Sequence, residues 1–295
     1  MMRREIDWPS VLATVSPLIL PLWFGAICVV MVYNYGTARF LLLDIAVYRE
    51  AAQAALSGGD PWRASVSGLT FAGPPPTLLM FVPLAFVSIE VATVVMTGVL
   101  AAAAVWSIRR LGLPLWWILF PPVFESLIVG NPDVLVLALL LARGPVAGLA
   151  AVAKVYAVIP LLAQRRWGAL LLGAAVSALT LPLWPAFLAS IDTVAGSLDA
   201  QSEGVSAWGT WWMVPAVAAL WALRRRGAEW LVVPAIWPHT QTHYGALSLP
   251  VMRHYPLAAA IIGLGTPLAP AIAVIVVALQ VRLGIGGPAR TEEPG

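Results

Sequence analysis

Five stretches of this chain, 11–33, 91–108, 168–188, 205–223 and 255–281, contain no Asp, Glu, Lys or Arg. At about 1.5 Å of rise per helical residue, each crosses or nearly crosses a hydrocarbon layer roughly 30 Å thick. A composition 60% hydrophobic and only 11% charged, with a mean hydropathy of +0.87, excludes a soluble globule with a polar skin. An unpaired peptide group in lipid costs several kcal/mol, so spanning segments must be helices or a closed barrel. The runs are continuous rather than alternating, which selects helices. The expected fold is therefore an all-α polytopic membrane protein with about nine to eleven transmembrane or re-entrant helices.

Many of the 25 prolines sit inside apolar runs, as at Pro17, Pro21, Pro160, Pro182 and Pro250, and predict kinks with freed carbonyls. Arg3 and Arg4 precede an apolar run without a clear small-residue cleavage site, so that run is expected to be a retained first span. Counting excludes disulfides and a cysteine-based zinc site, because Cys28 is alone.

Arginine placement orients the spans. Arg3–Arg4, Arg109–Arg110, Arg165–Arg166, 224–226 and Arg282 all flank apolar runs, and basic flanks stay on the cytoplasmic side. That assignment sends 34–76, 189–206 and 238–244 to the outer face, with the region around Asn131. It also requires an odd number of crossings from 77–108 and from 132–163. Each is expected to be one span plus a short re-entrant piece, broken near 88–90 and 144–145. Residues 1–283 form one transmembrane domain on this reading, and 284–295 a disordered cytoplasmic tail.

The outer loop 34–76 carries the most information. Ile45, Tyr48, Ala52 and Ala55 share a helical face, and Gly58–Gly59 supplies a stop, so a helix on the membrane surface is expected from Asp44 to Leu56. Asp60-Pro61-Trp62-Arg63 and Phe71-Ala72-Gly73-Pro74-Pro75-Pro76 follow, a layout suited to a lid over an interfacial cavity.

Several short motifs occur in order: Asp44-Ile45-Ala46-Val47-Tyr48, Gly58-Gly59-Asp60-Pro61-Trp62, Gly73-Pro74-Pro75, Gly130-Asn131-Pro132-Asp133, Lys154-Val155-Tyr156-Ala157 with Pro160 beyond, and Trp237-Pro238-His239-Thr240-Gln241-Thr242-His243-Tyr244. Across roughly 34–250 this series resembles the polyprenol-phosphate-mannose-dependent mannosyltransferases of glycosyltransferase family 87. The resemblance implies a GT-C type fold and a polyprenyl-phosphate-linked sugar donor. It also implies a lipid-linked or glycan acceptor, and Asp44 in the place of the catalytic aspartate. No metal, nucleotide or other cofactor is required on that reading.

Sugar transfer from a lipid phosphate needs a carboxylate to take the attacking hydroxyl's proton and cations to stabilise the departing phosphate. Asp44 is the expected base; its bland role is to cap the helix it begins. Lys154, the sole lysine among 17 basic residues, is either a phosphate ligand or half of a structural ion pair with Asp133 or Glu125. His243 and His239 either touch phosphate or join helices by hydrogen bonds. Arg63 and Arg39 either bind phosphate or pair with Asp60 or Glu50. Asp133 either caps a helix or joins the polar site with Tyr48, Asn131 and Tyr244. Structural roles are expected for Glu90 and Glu125, and an interfacial flank for His254.

The 14 tryptophans mark membrane interfaces. The net charge of +3 is topological and points to no nucleic acid; the partners expected are membrane lipids and the two substrates. Arginine-rich, lysine-poor usage points to a bacterial plasma membrane. Two rivals keep the same features: a lipid or solute transporter, and an inactive relative acting as a scaffold.

Overall fold

The computed structural model describes residues 8–285, with side-chain surroundings from residue 18 onward. The inner anchors Arg3 and Arg4 and the expected tail beyond 285 lie outside the described residues. Sixteen α-helices and one antiparallel β pair make up the regular structure among the described residues, with short 3-10 turns between them. The chain is all-α.

Helix α1 (Trp8–Thr37) turns Leu20, Phe24 and Cys28 inward at helical spacing. The Phe24 ring sits 5.8 Å from Trp117 and 5.4 Å from Phe120. Its other faces expose Leu18, Leu22, Val29, Val30 and Tyr33, large apolar side chains of the kind that lipid covers.

Helix α2 (Leu43–Leu56) ends as expected: Gly58, at φ 77°, lets the Gly59 amide reach back to the Ala54 carbonyl at 2.8 Å. It does not lie free on a membrane surface. Leu43, Ile45, Val47, Tyr48, Ala51 and Ala52 are buried, because α2 packs on α3 (Pro75–Ala85) and on α4 (Ile89–Arg110). Arg49 Nε donates to the Val87 carbonyl at 2.9 Å and Gln53 Nε2 to Ala85 at 3.1 Å, satisfying carbonyls left open where α3 ends. The expected break near 88–90 is present. Ser88 caps α4 by accepting from the Val91 amide at 3.4 Å, and Arg109 and Arg110 close the far end.

Helices α5 (Pro121–Val129) and α6 (Asp133–Leu141) meet at 120°. Gly130 makes that corner with φ 81°; a Cβ there would stand 2.5 Å from Ile45 Cγ1, so the corner presses on α2 beside Asp44. Ser126 pins it by donating to the Asn131 carbonyl and accepting from the Val134 amide. After α6 the chain breaks at 142–144, as expected, where Arg166 donates to the carbonyls of Leu140 and Ala142. A further break, not expected, separates α7 (Leu149–Ala153) from α8 (Val158–Ala163) at an extended Lys154.

Gly148 lets α7 approach α9 (Trp167–Ala178) closely: a Cβ there would fall 2.0 Å from the Ala169 carbonyl oxygen. Beyond it come α10 (Trp184–Ala189), α11 (Ile191–Gln201), α12 (Met213–Ala222), α13 (Val232–Ile236), α14 (Leu249–Met252), α15 (Pro256–Ile262) and α16 (Ala269–Arg282).

The nine to eleven passes are not matched by helices of spanning length. Among the described residues only Leu18–Thr37 and Ile89–Arg110 are long and apolar enough to cross a membrane, or four segments if α5 with α6 and α9 with Leu181–Ala189 each count as one bent span. Prolines and glycines within the apolar runs are the cause, cutting them into helices of 4 to 14 residues from α5 onward.

The three segments expected on the outer face are hydrogen-bonded to one another. The Thr70 and Ser197 hydroxyls meet at 2.5 Å and Gln201 Nε2 donates to the Thr70 carbonyl at 3.1 Å. Gln241 Nε2 donates to Gln201 at 2.9 Å, and Glu203 accepts from the Thr242 amide at 2.8 Å.

Candidate active site

Beneath that roof lies a cavity of about 240 Å³, with Asp44, Asn131 and Lys154 in its wall together with Tyr48, His239 and Tyr244. A second cavity of about 200 Å³ adjoins it and is lined by Tyr35, Glu203 and His243, again with Asp44. Asp44, Leu69, Gln201 and Gln241 belong to both.

Asp44 is the second residue of α2, whose N-cap is Leu42 in a left-handed conformation with no side-chain cap. The capping role expected of Asp44 is thus not the one it plays. Its Oδ2 accepts instead from Asn131 Nδ2 at 2.7 Å, across from the α5–α6 corner. Burial pushes its pKa above the ordinary aspartate value, against the opposing pull of His243, the Asn131 hydrogen bond and Lys154. Tyr48, one turn on, stacks on Phe81 with ring centroids 4.1 Å apart, and its hydroxyl lies 3.5 Å from Asn131 Nδ2.

Lys154 occupies the break between α7 and α8, so its side chain projects from an extended residue rather than along a helix. Nζ stands 3.8 Å from Asp133 Oδ1 and 5.6 Å from the Tyr244 ring centre. The ion pair with Asp133 is one of the two roles anticipated for this lysine, and the side chain lines the larger cavity as well.

Asp133 opens α6 yet makes no side-chain cap. It is fully buried, and around it gather the Tyr156 hydroxyl, which donates to Oδ1, Lys154, and His243 Nε2 at 3.8 Å from Oδ2. His243 belongs to the 3-10 segment Thr242–Ser248, and its Nδ1 lies 3.6 Å from Glu125 Oε2. Burial draws the His243 pKa down, but Glu125 and Asp133 outweigh it and the net direction is up.

Glu125 is buried in α5 and accepts from the Tyr35 hydroxyl, which also lies 3.2 Å from Glu203. Glu125 Oε2, Asn131 Oδ1, Asp133 Oδ2 and His243 Nε2 are buried without a hydrogen-bond partner among the described residues. Four such atoms in one cluster is the pattern of a site built for something other than packing.

Two expected members behave differently. Arg63 is 77% exposed, lines neither cavity and pairs with Asp60 Oδ2 at 3.3 Å, one of the two roles anticipated for it. Its motif is structural: Asp60 also accepts from the Trp62 amide and Ser190 Oγ, and buried Trp62 donates to the Gly73 carbonyl at 2.9 Å. His239 does reach the larger cavity, but its Nδ1 is 3.0 Å from Asp199 Oδ1. Glu203 and Tyr35 were not anticipated. For Glu125 the signal was present, since a carboxylate in an apolar segment needs a partner.

No group of three or more His, Cys, Asp or Glu side chains is placed to hold a metal among the described residues. No protein-family model, curated protein or solved structure matches this chain.

Proposed function

We propose that this protein is an inverting membrane glycosyltransferase that moves a hexose, mannose on the sequence resemblance, from a polyprenyl-phosphate donor to a lipid-linked or glycan acceptor. The observation carrying the proposal is Asp44, a carboxylate in the wall shared by two adjoining cavities, with Lys154 lining one and His243 the other.

One cavity has the polarity for a sugar phosphate: Lys154 offers a cation, Asn131 and His239 offer polar contacts, and Tyr48, Tyr156, Trp237 and Tyr244 offer aromatic faces. In the proposed step Asp44 takes the acceptor hydroxyl's proton as the oxygen bonds to the sugar's anomeric carbon. The bond from that carbon to the phosphate oxygen breaks, and the charge on the departing lipid phosphate falls to Lys154. Attack on the face opposite the leaving group inverts the anomeric centre. Asn131 fixes the carboxylate's orientation, and His243 tempers the burial that raises its pKa.

The proposed setting is a bacterial plasma membrane with the cavities at the extracytoplasmic face. Sidedness is supported by Arg166, whose contacts with Leu140 and Ala142 mark the end of α6 opposite Asp133. Purified protein in lipid, supplied with polyprenyl-phosphate mannose and a lipid-linked acceptor, tests the reading. Turnover that falls at least 100-fold in Asp44→Asn, with unchanged thermal stability, is expected; equal rates remove Asp44 as the base and the proposal with it.

A further inference from the structure

Away from the cavities, α12 and α16 run side by side and form a groove of about 740 Å³. Apolar side chains line it: Ala218, Ala219 and Ala222 on one wall, Ile275, Ala278 and Leu279 on the other. Its mouth is ringed by Arg224, Arg225, Arg226 and Arg282. None of the four has a carboxylate within ion-pairing distance among the described residues. Trp221 stands beside them, 69% exposed, with the Arg224 guanidinium 4.8 Å from its ring centre.

Positive residues flanking a span need only sit near its end to set topology. Here three guanidinium groups from the turn after α12 and one from the last residue of α16 line one largely apolar groove, with an exposed indole beside them, a combination that topology does not require. Guanidinium forks match phosphate oxygens in pairs, and the groove below is open to an acyl chain. We propose that this groove binds an anionic diacyl phospholipid, its phosphate held by Arg225, Arg226 and Arg282 and its acyl chain lying between α12 and α16. The site rests on the membrane reading but is independent of the transferase reading, since none of its residues lines either cavity.

The protein reconstituted in phosphatidylcholine bilayers, with residues 286–295 in place, provides the test. Dibrominated phospholipids quench nearby tryptophans, and the Trp221 share is the difference between wild type and Trp221→Phe. Dibrominated phosphatidylglycerol is expected to quench that share at a mole fraction at least three times lower than dibrominated phosphatidylcholine. Replacing Arg225, Arg226 and Arg282 together by Gln abolishes the preference, whereas replacing them by Lys keeps part of it. Equal quenching by the two wild-type titrations overturns the proposal without any variant. Displacement of the quencher by inorganic phosphate at matched concentration also overturns it, in favour of a free-anion site. So does a preference that emerges only after removal of residues 287–295, which would make Glu292 and Glu293 the natural occupants.

Discussion

Around the two cavities Asp133 and Glu125 are 0% and 1% exposed, and every buried carboxylate has a neighbour: Lys154 and Tyr156 for Asp133, Tyr35 and His243 for Glu125, Asn131 for Asp44. At the end of α12 and α16 the four arginines are exposed and meet no carboxylate among the described residues. The difference is one of cost. An exposed guanidinium at an interface keeps its water and lipid contacts and needs nothing from the fold, while a buried carboxylate needs several partners at once, drawn here from α1, α5, α6, the Lys154 break and Thr242–Ser248. A charge the fold buries commits several elements to supplying its partners; a charge left outside commits none.

The contrast is sharpest at Asp44, where Asp44→Asn keeps shape and the polar contact to Asn131 but removes the base. A loss of at least 100-fold in sugar transfer is expected, with melting temperature unchanged; a smaller loss would put Asp44 among the merely buried. Next is Lys154→Met, which leaves His243 as the one cation beside Asp133 among the described residues. It is expected to cost about 3 kcal/mol of stability together with most of the activity. Adding Asp133→Asn to that variant should return the stability and not the activity, as chemical unfolding and turnover on the same samples would show.

A pH titration addresses His243. Its folded pKa lies above its ordinary value, so the protonated ring stabilises the fold. That contribution is complete below about pH 6.5 and is lost as pH rises through the folded-state value. Unfolding profiles of wild type should therefore decline above about pH 6.5, and those of His243→Asn should lack that component. Asp44 gives the matching signature in rate: its raised pKa displaces the acidic limb of the activity profile above the ordinary carboxylate range. Smallest of all is Arg63→Ala, expected to change turnover less than twofold and stability by less than about 0.5 kcal/mol, because an exposed pair with Asp60 contributes little. A large effect at Arg63 would erase the distinction between the buried and exposed sets.

Much of this was legible in the sequence because charge-free runs, arginine flanks and glycine stops act locally. They located the helix over 43–56, the breaks near 88 and 144, and the three segments that form the roof. What escaped them is non-local. Whether Asp133 caps its helix or joins a cluster depends on Tyr156, Lys154 and His243 arriving from elsewhere in the chain, and nothing near position 133 encodes that. The number of passes failed for a related reason: hydropathy over 121–163 or 205–281 measures how apolar a stretch is, whereas Gly130, Pro145, Lys154, Gly227 and Pro256 decide how often the backbone turns within it. For Arg63 the sequence left phosphate or Asp60 open, because an outer-side arginine looks the same whichever it meets, and the structure shows the Asp60 pair.

Asp44, with Leu69, Gln201 and Gln241, belongs to the wall between two chambers, and this has a thermodynamic consequence. Filling either chamber strips water from Asp44 and changes the charge that the other occupant meets. The affinities of two ligands on either side of it are thereby linked, each altering the other by the same factor, so the first arrival sets the protonation of the wall against which the second must dock.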